Sequence, residues 1–208
     1  MEDERKKDRK KRDIFGTIFL SVGIVLVNAA VFLLLFNVWR DYKAGKEAMA
    51  YLEMIKDLLD QEDDDAGLYD DLIESDDEMI AVEIDGYYYI GYLYFPSLEL
   101  ELPVQSSWDY KKLEISPCLY YGATTEDNFV ICGHNYSSHF GTLKNLESGD
   151  DVYFTDMNGK TWHYEVKRVE ILYPTAISKM KFSNYDLTLF TCTYGGKTRV
   201  TVRCDLVD

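Results

Sequence analysis

The apolar positions of this chain follow three patterns in turn, and each predicts a different kind of element. From Ile14 to Trp39 there is no charged residue. About 20 apolar residues are enough for a helix to cross a bilayer, so this run predicts a membrane-spanning helix. Thr17, Ser21 and Asn28 are tolerated there because a helix satisfies its own backbone, and Trp39 suits the interfacial layer. From Asp41 to Leu59 the apolar residues Ala48, Tyr51, Leu52, Ile55, Leu58 and Leu59 recur at spacings of three and four, which predicts a second helical stretch. This stalk is either a brace packed on the domain after it or a spacer. Beyond Met79 the pattern changes to short alternating runs between turn residues, the mark of strands.

Ala81–Ile84, Asp85-Gly86 and Tyr87–Phe95 read as a hairpin closed by a type I′ turn. Pro96 ends that run, and Leu98, Leu100 and Leu102 then alternate with polar residues. Asn128–Cys132 is a short apolar strand. Val152 and Phe154 begin another strand, Asn158-Gly159 is a hairpin turn, and Trp162, Tyr164 and Val166 share one face of its return. The apolar phase slips to Val169 and Ile171, which predicts a β-bulge at Lys167-Arg168. Asp186–Thr193 and Thr198–Asp205 are the last two strands. Short strands at this spacing predict a mostly β domain, a closed barrel or a sandwich.

The resulting division is a basic head over 1–13, a membrane helix over 14–39, a helical stalk and acidic linker over 40–78, and a β-rich domain over 79–208. A cleaved signal peptide competes for the first segment. Its apolar region should span about 7–15 residues, whereas this run continues past Asn28-Ala29-Ala30 to Phe36. Arg5, Lys6, Lys7, Arg9, Lys10, Lys11 and Arg12 precede the span, and only Arg40, Lys43 and Lys46 follow before the chain turns acidic. The positive-inside rule then puts the amino terminus in the cytoplasm and the rest outside, in a single-pass cell-membrane protein. A net charge of −15 argues against nucleic acid as a partner. Gln61–Glu78 is rich in carboxylates that suit calcium, but it lacks the ordered spacing of a calcium loop and reads as a solvated linker. No cofactor is expected.

Four cysteines without a CxxC pair indicate neither a disulfide framework nor a structural zinc site. Cys118, Cys132 and Cys204 read as small buried hydrophobes. The last hairpin is more informative. If Gly195-Gly196 forms a two-residue turn, Tyr194 faces Lys197, Thr193 faces Thr198, and Cys192 lies opposite Arg199. Directly opposed residues share a face about 5 Å apart. A guanidinium there favours the thiolate and can steady an oxyanion. A cysteine nucleophile also needs an acid–base partner. His134 follows a strand in a loop that can expose it, and His139 lies in the same loop. His163 reads as a surface strand residue. A metal site from Cys132, His134 and His139 has no recognised spacing, so none is assigned.

Gly133-His134-Asn135, then Thr188-Leu189-Phe190-Thr191-Cys192 and Arg199, resemble the His, TLxTC and Arg signature of the sortases. Ile90–Leu98 is similar to the strand that opens the sortase barrel, and Phe140-Gly141-Thr142-Leu143 and Gly149-Asp150 also have sortase counterparts. The resemblance covers roughly Tyr89 to Val207. It implies a sortase-type eight-stranded β-barrel with short helices, and a cysteine transpeptidase. By resemblance Cys192 attacks the Thr–Gly carbonyl of an LPxTG-like C-terminal sorting signal on a secreted protein. His134 exchanges protons with the leaving and entering amines. Arg199 holds substrate or oxyanion, and Thr191 lines the oxyanion and substrate site. The acceptor would be a peptidoglycan precursor or a pilin lysine. The helical stalk is loosely like that of class B enzymes, and the subclass stays open. Only six residues (193–198) separate Cys192 from Arg199, fewer than in many sortases. The rival readings are a membrane-bound thiol peptidase and a non-catalytic binding module.

Overall fold

The computed structural model describes residues 2–64, 79–125 and 128–207. Most of the acidic linker, and with it the conceivable calcium site, lies outside the described residues. The chain divides into two units, 1–40 and 41–208. Helix α1 (Glu2–Asp64) supplies the described residues of the first unit and opens the second.

In the first unit the apolar side chains from Phe15 to Trp39 are exposed all round the helix. Its most apolar window has a mean hydropathy of 2.7. It is the one helix among the described residues long and apolar enough to cross a membrane.

The second unit begins with the remainder of α1. Ala44, Ala48, Leu52 and Ile55, spaced by four, four and three, are buried along one stripe, the face that helical periodicity turns to a core. Ala48 enters the barrel core, and Ile55 packs with Tyr89, Ile84 and Met157 at its edge. The stalk is therefore a brace, and each fully buried large side chain in it contributes about 2 kcal/mol.

The strands are β1 (Val82–Ile84), β2 (Tyr87–Phe95), β3 (Leu100–Gln105), β4 (Cys118–Tyr121), β5 (Phe129–Gly133), β6 (Asp151–Asp156), β7 (Thr161–Leu172), β8 (Leu187–Cys192) and β9 (Arg199–Leu206). Short helices α2 (Tyr110–Leu113) and α3 (Ile177–Lys181) lie in the connections. The sheet order β2-β3-β4-β5-β8-β9-β7-β6 returns from β6 to β2, so eight strands close a barrel and β1 extends β2. Closure removes the exposed edges of an open sheet. The inward-facing residues of alternate positions, among them Leu93, Val104, Ile131, Phe154, Leu189 and Val202, form the core.

Several local expectations hold. Asp85 and Gly86 both have positive φ (50° and 81°), as a type I′ turn requires. The β7–β9 register shifts between Val166 and Arg168, which is the bulge expected at Lys167-Arg168. Others are corrected. Leu98 belongs to a 3₁₀ turn, and the strand starts at Leu100. The β6–β7 turn is not a two-residue Asn158-Gly159 loop. Of that pair only Gly159 has positive φ, and the Asp156 carboxylate closes a longer turn by accepting from the N–H groups of Asn158 and Lys160 (2.9 and 3.0 Å). An aspartate side chain that mimics a backbone turn has displaced the simpler hairpin. Strand β4 was not foreseen, because Cys118–Tyr121 lacks clean alternation and only Cys118 is fully buried.

Gly91 is the closure point. Strand β2 pairs with β1 up to Tyr89 and with β6 from Gly91 onward, with an irregularity between these two residues on the β3 side. Gly91 has φ 142°, and a Cβ there would sit 2.0 Å from the Thr155 carbonyl oxygen. Gly91→Ala is expected to lower stability by about 3 kcal/mol or more through combined strain and overpacking. Gly159→Asn, at φ 77° with open space around it, is expected to cost under about 1 kcal/mol. Urea midpoints of the two variants check this.

Candidate active site

Three neighbouring strands end together at one rim of the barrel. Strands β5 and β8 run parallel with Gly133 opposite Thr191. His134 follows Gly133 just past the end of β5 and Cys192 follows Thr191 at the end of β8, so the register carries the two to the same rim, where strand spacing is about 4.8 Å. Strand β9 runs antiparallel to β8, with Cys192 opposite Arg199. The register thus brings His134, Cys192 and Arg199 into one row across β5, β8 and β9.

The hairpin that presents Arg199 differs from the expected Gly-Gly turn. The Gly196 N–H bonds the Thr193 carbonyl (2.8 Å), so Tyr194 and Gly195 are the central turn residues. Tyr194 and Lys197 are not a ladder pair. The Thr193 N–H still meets the Thr198 carbonyl (2.9 Å), which preserves the Cys192–Arg199 register. Nη1 of Arg199 donates to the carbonyls of Gly196 and Thr198 (both 3.1 Å). The guanidinium is thereby fixed to its own loop.

Thr191 is buried, and its hydroxyl donates to the Gly133 carbonyl (2.8 Å). This bond ties β8 to β5 one residue before Cys192 and His134. Gly133 leaves no room for a side chain, since a Cβ would lie 2.7 Å from the Phe140 ring.

Cys192 is half-buried, whereas Cys118, Cys132 and Cys204 are buried, and all four are free thiols. Burial pushes the Cys132 thiol up to about 12, and raises Cys118 and Cys204 as well, keeping all three as inert neutral thiols. His139 does not share the setting of His134. It is fully buried, and its ring nitrogens make no full hydrogen bond among the described residues. Burial holds its pKa down to about 4. His163 is a surface residue, as expected, paired with Asp151 (2.7 Å) and stacked on Tyr153. Among the described residues no three His, Cys, Asp or Glu cluster in a way that could hold a metal ion.

Cys192, His134, Thr191 and Arg199 line a cavity of about 200 Å³. Its apolar walls come from residues that the sequence had not singled out for binding: Trp108, Tyr110, Tyr120, Ile177, Met180 and Phe190. Trp108 packs on Tyr110 and Tyr120, and Tyr120 meets Phe190 edge-on at 5.1 Å. The α3 wall is held from below by Arg203, which is 2% exposed. Arg203 donates to Glu170 Oε1 (2.9 Å), Thr188 Oγ1 (2.8 Å) and the Lys179 carbonyl (2.7 Å). Crowding of Trp and Tyr around 108–121 was the one available hint of this wall, since solvent-side aromatics mark binding surfaces.

A row of thiol, imidazole and guanidinium at the end of an apolar cleft suits attack on the carbonyl of an extended peptide. Residues 93–207 match the family model of the Sortase domain. Sortase A of Bacillus anthracis is 30% identical over 143 residues, covering 62% of this chain and 65% of that protein. The match therefore spans just under two thirds of the curated relative's length. A Clostridium perfringens sortase D5 transpeptidase superposes with a TM-score of 0.59 at 18% identity, covering 78% of this chain and 99% of that one. A Clostridium perfringens sortase C structure with the C-terminal cell wall sorting motif gives 0.54 at 21% identity, covering 77% and 97%. The chain belongs to the sortase family.

Two measurements check the site. Under native conditions iodoacetamide is expected to modify one thiol, Cys192, and to reach all four cysteines only after denaturation. His139 makes stability depend on pH. Its folded pKa of about 4 lies below the unfolded value of about 6.5, so the unfolded state takes up the proton first. Its contribution is full above pH ~6.5 and is lost as pH falls towards ~4, by about 3 kcal/mol. His139→Met is expected to flatten the stability profile over that window relative to the wild type in chemical denaturation.

Proposed function

We propose that the chain is a cysteine transpeptidase that cleaves an LPxTG-like sorting signal between Thr and Gly and passes the acyl chain to an amine. The observation that carries this reading is the strand register that sets Cys192 between His134 and Arg199, at the end of an aromatic cleft. One related structure holds a C-terminal cell wall sorting motif, which supports a peptide of that class as the occupant.

In this mechanism the Cys192 thiolate attacks the scissile carbonyl, and Arg199 steadies the oxyanion that develops. His134 protonates the departing glycine amine, leaving a thioacyl enzyme. The acceptor amine gives its proton to His134 as it attacks the thioester and frees Cys192. Thr191, its hydroxyl engaged by Gly133, serves the substrate and oxyanion side of the cleft by fixing the spacing of the two strand ends. The acceptor is an amine of a peptidoglycan precursor or a pilin lysine. The apolar run of α1 anchors the protein in the cell membrane, and its flanking charges favour a cytoplasmic amino terminus with the barrel outside.

The full-length chain in detergent micelles is expected to cleave a fluorogenic LPxTG-type peptide and, with an added amine, to form a ligated product. Cys192→Ala should abolish both. His134→Ala should lower kcat/KM by about 10²–10⁴, and Arg199→Lys by about 10². Cleavage that never gives a ligated product would make the protein a thiol peptidase. No cleavage together with an unreactive Cys192 would make it a binding module.

A further inference from the structure

The helix ahead of the barrel is fastened to the loop that carries His134, and one carboxylate makes the fastening. Asp41 accepts from the Ser137 N–H through Oδ2 and from the Ser138 N–H through Oδ1, both at 3.0 Å. The Ser138 hydroxyl lies 2.6 Å from Oδ1 and 3.0 Å from the Asp41 carbonyl oxygen. One turn further along, Gly45 lets the helix close on this loop, since a Cβ there would stand 2.7 Å from the Ser138 Cβ. Burial alone would raise the Asp41 pKa, but the Ser138 and Ser137 donors outweigh it and hold the carboxyl below its ordinary value. Asp41 is therefore charged at neutral pH, and charge-assisted bonds of this kind are the stronger ones.

The loop passes this constraint towards His134 over a few residues. The Phe140 N–H bonds the His134 carbonyl (3.1 Å), and the N–H groups of His139 and Gly141 both bond the Tyr136 carbonyl (3.0 and 2.9 Å). Tyr136 precedes the two serines that Asp41 holds, and its ring packs on the His134 ring with centroids 4.9 Å apart. Releasing Ser137 and Ser138 frees the segment that sets the Tyr136 ring, and with it the surface against which the imidazole rests.

We propose that Asp41 is a positioning residue for His134: through Ser137, Ser138 and Tyr136 it holds the imidazole at the Cys192 end of the cleft. This rests on the reading of His134 as the proton-transfer group. A 1 Å misplacement of such a group can cost about 10²-fold in rate without touching substrate affinity. A carboxylate that served only to dock the helix would change stability and leave the chemistry of His134 alone.

The test uses the full-length chain in micelles with Asp41→Ala, Asp41→Asn and Ser138→Ala. With the sorting-signal peptide, Asp41→Ala is expected to lower kcat about tenfold or more, keep KM within about twofold, and shift the limb of the pH–rate profile that reports His134. Asp41→Asn retains one acceptor without the charge and should fall between Asp41→Ala and the wild type. A second readout needs no substrate: the His134 imidazole titration by NMR should move by about half a pH unit or more in Asp41→Ala. If the wild type turns over no peptide, the transpeptidase reading fails, while the titration still decides the role of Asp41. If Asp41→Ala does not fold, Asp41→Asn and Ser138→Ala decide by the same criteria. Wild-type kcat, pH profile and His134 titration in the folded variants, whatever their melting temperature, would overturn the proposal.

Discussion

The parallel pairing of β5 with β8 is the constraint on which the site depends. Side chains alternate along a strand with a period of two, so a slip of one residue would turn every side chain to the opposite face. With Gly133 opposite Thr191, Ile131 and Leu189 face the barrel core, and His134 and Cys192 share the rim. The apolar residues on the inner face hold that register because any slip would expose them. The Thr191 hydroxyl on the Gly133 carbonyl pins it at the last residue before the chemistry. The same core packing that stabilises the barrel therefore sets the distance between thiol and imidazole.

Around that row the fold separates support from access. On the support side, Arg203 is buried among partners that satisfy it, Glu170, Thr188 and the Lys179 carbonyl. A guanidinium so deeply buried is stable only when paired, and its partners tie β7, β8 and α3 together. On the access side Trp108, Tyr110 and Tyr120 are half-buried or exposed, with Trp108 at 44% and Tyr110 at 77%. Apolar surface left open beside reactive groups is surface that a ligand can cover. The cleft thus combines a rigid base with a solvent-facing wall.

Much of this was legible in the chain because it is written in local rules. Two residues of positive φ closing β1 to β2, the extra residue at Lys167 and the apolar run from Ile14 to Trp39 each follow from spacing or turn chemistry. The Cys192–Arg199 pairing was also legible, although the turn that creates it centres on Tyr194-Gly195 instead of the two glycines. The errors have local causes too. Asp156 supplied a side-chain turn that the Asn-Gly pair obscured, and β4 carries too little alternation to announce itself.

The sequence by itself determined the elements and the chemically capable residues, since helical and strand periods and the His, TLxTC and Arg motif are properties of short segments. Beyond the last hairpin it did not decide what those residues meet. That His139 turns into the core while His134, five positions earlier, stays at the rim depends on where α1 lies against their loop. That Asp41 grips Ser137 and Ser138, and that Trp108, Tyr120 and Ile177 converge on one cleft, depends on barrel closure. These contacts join residues tens of positions apart, and no periodicity along the chain encodes a distance between segments that only the packed core brings together.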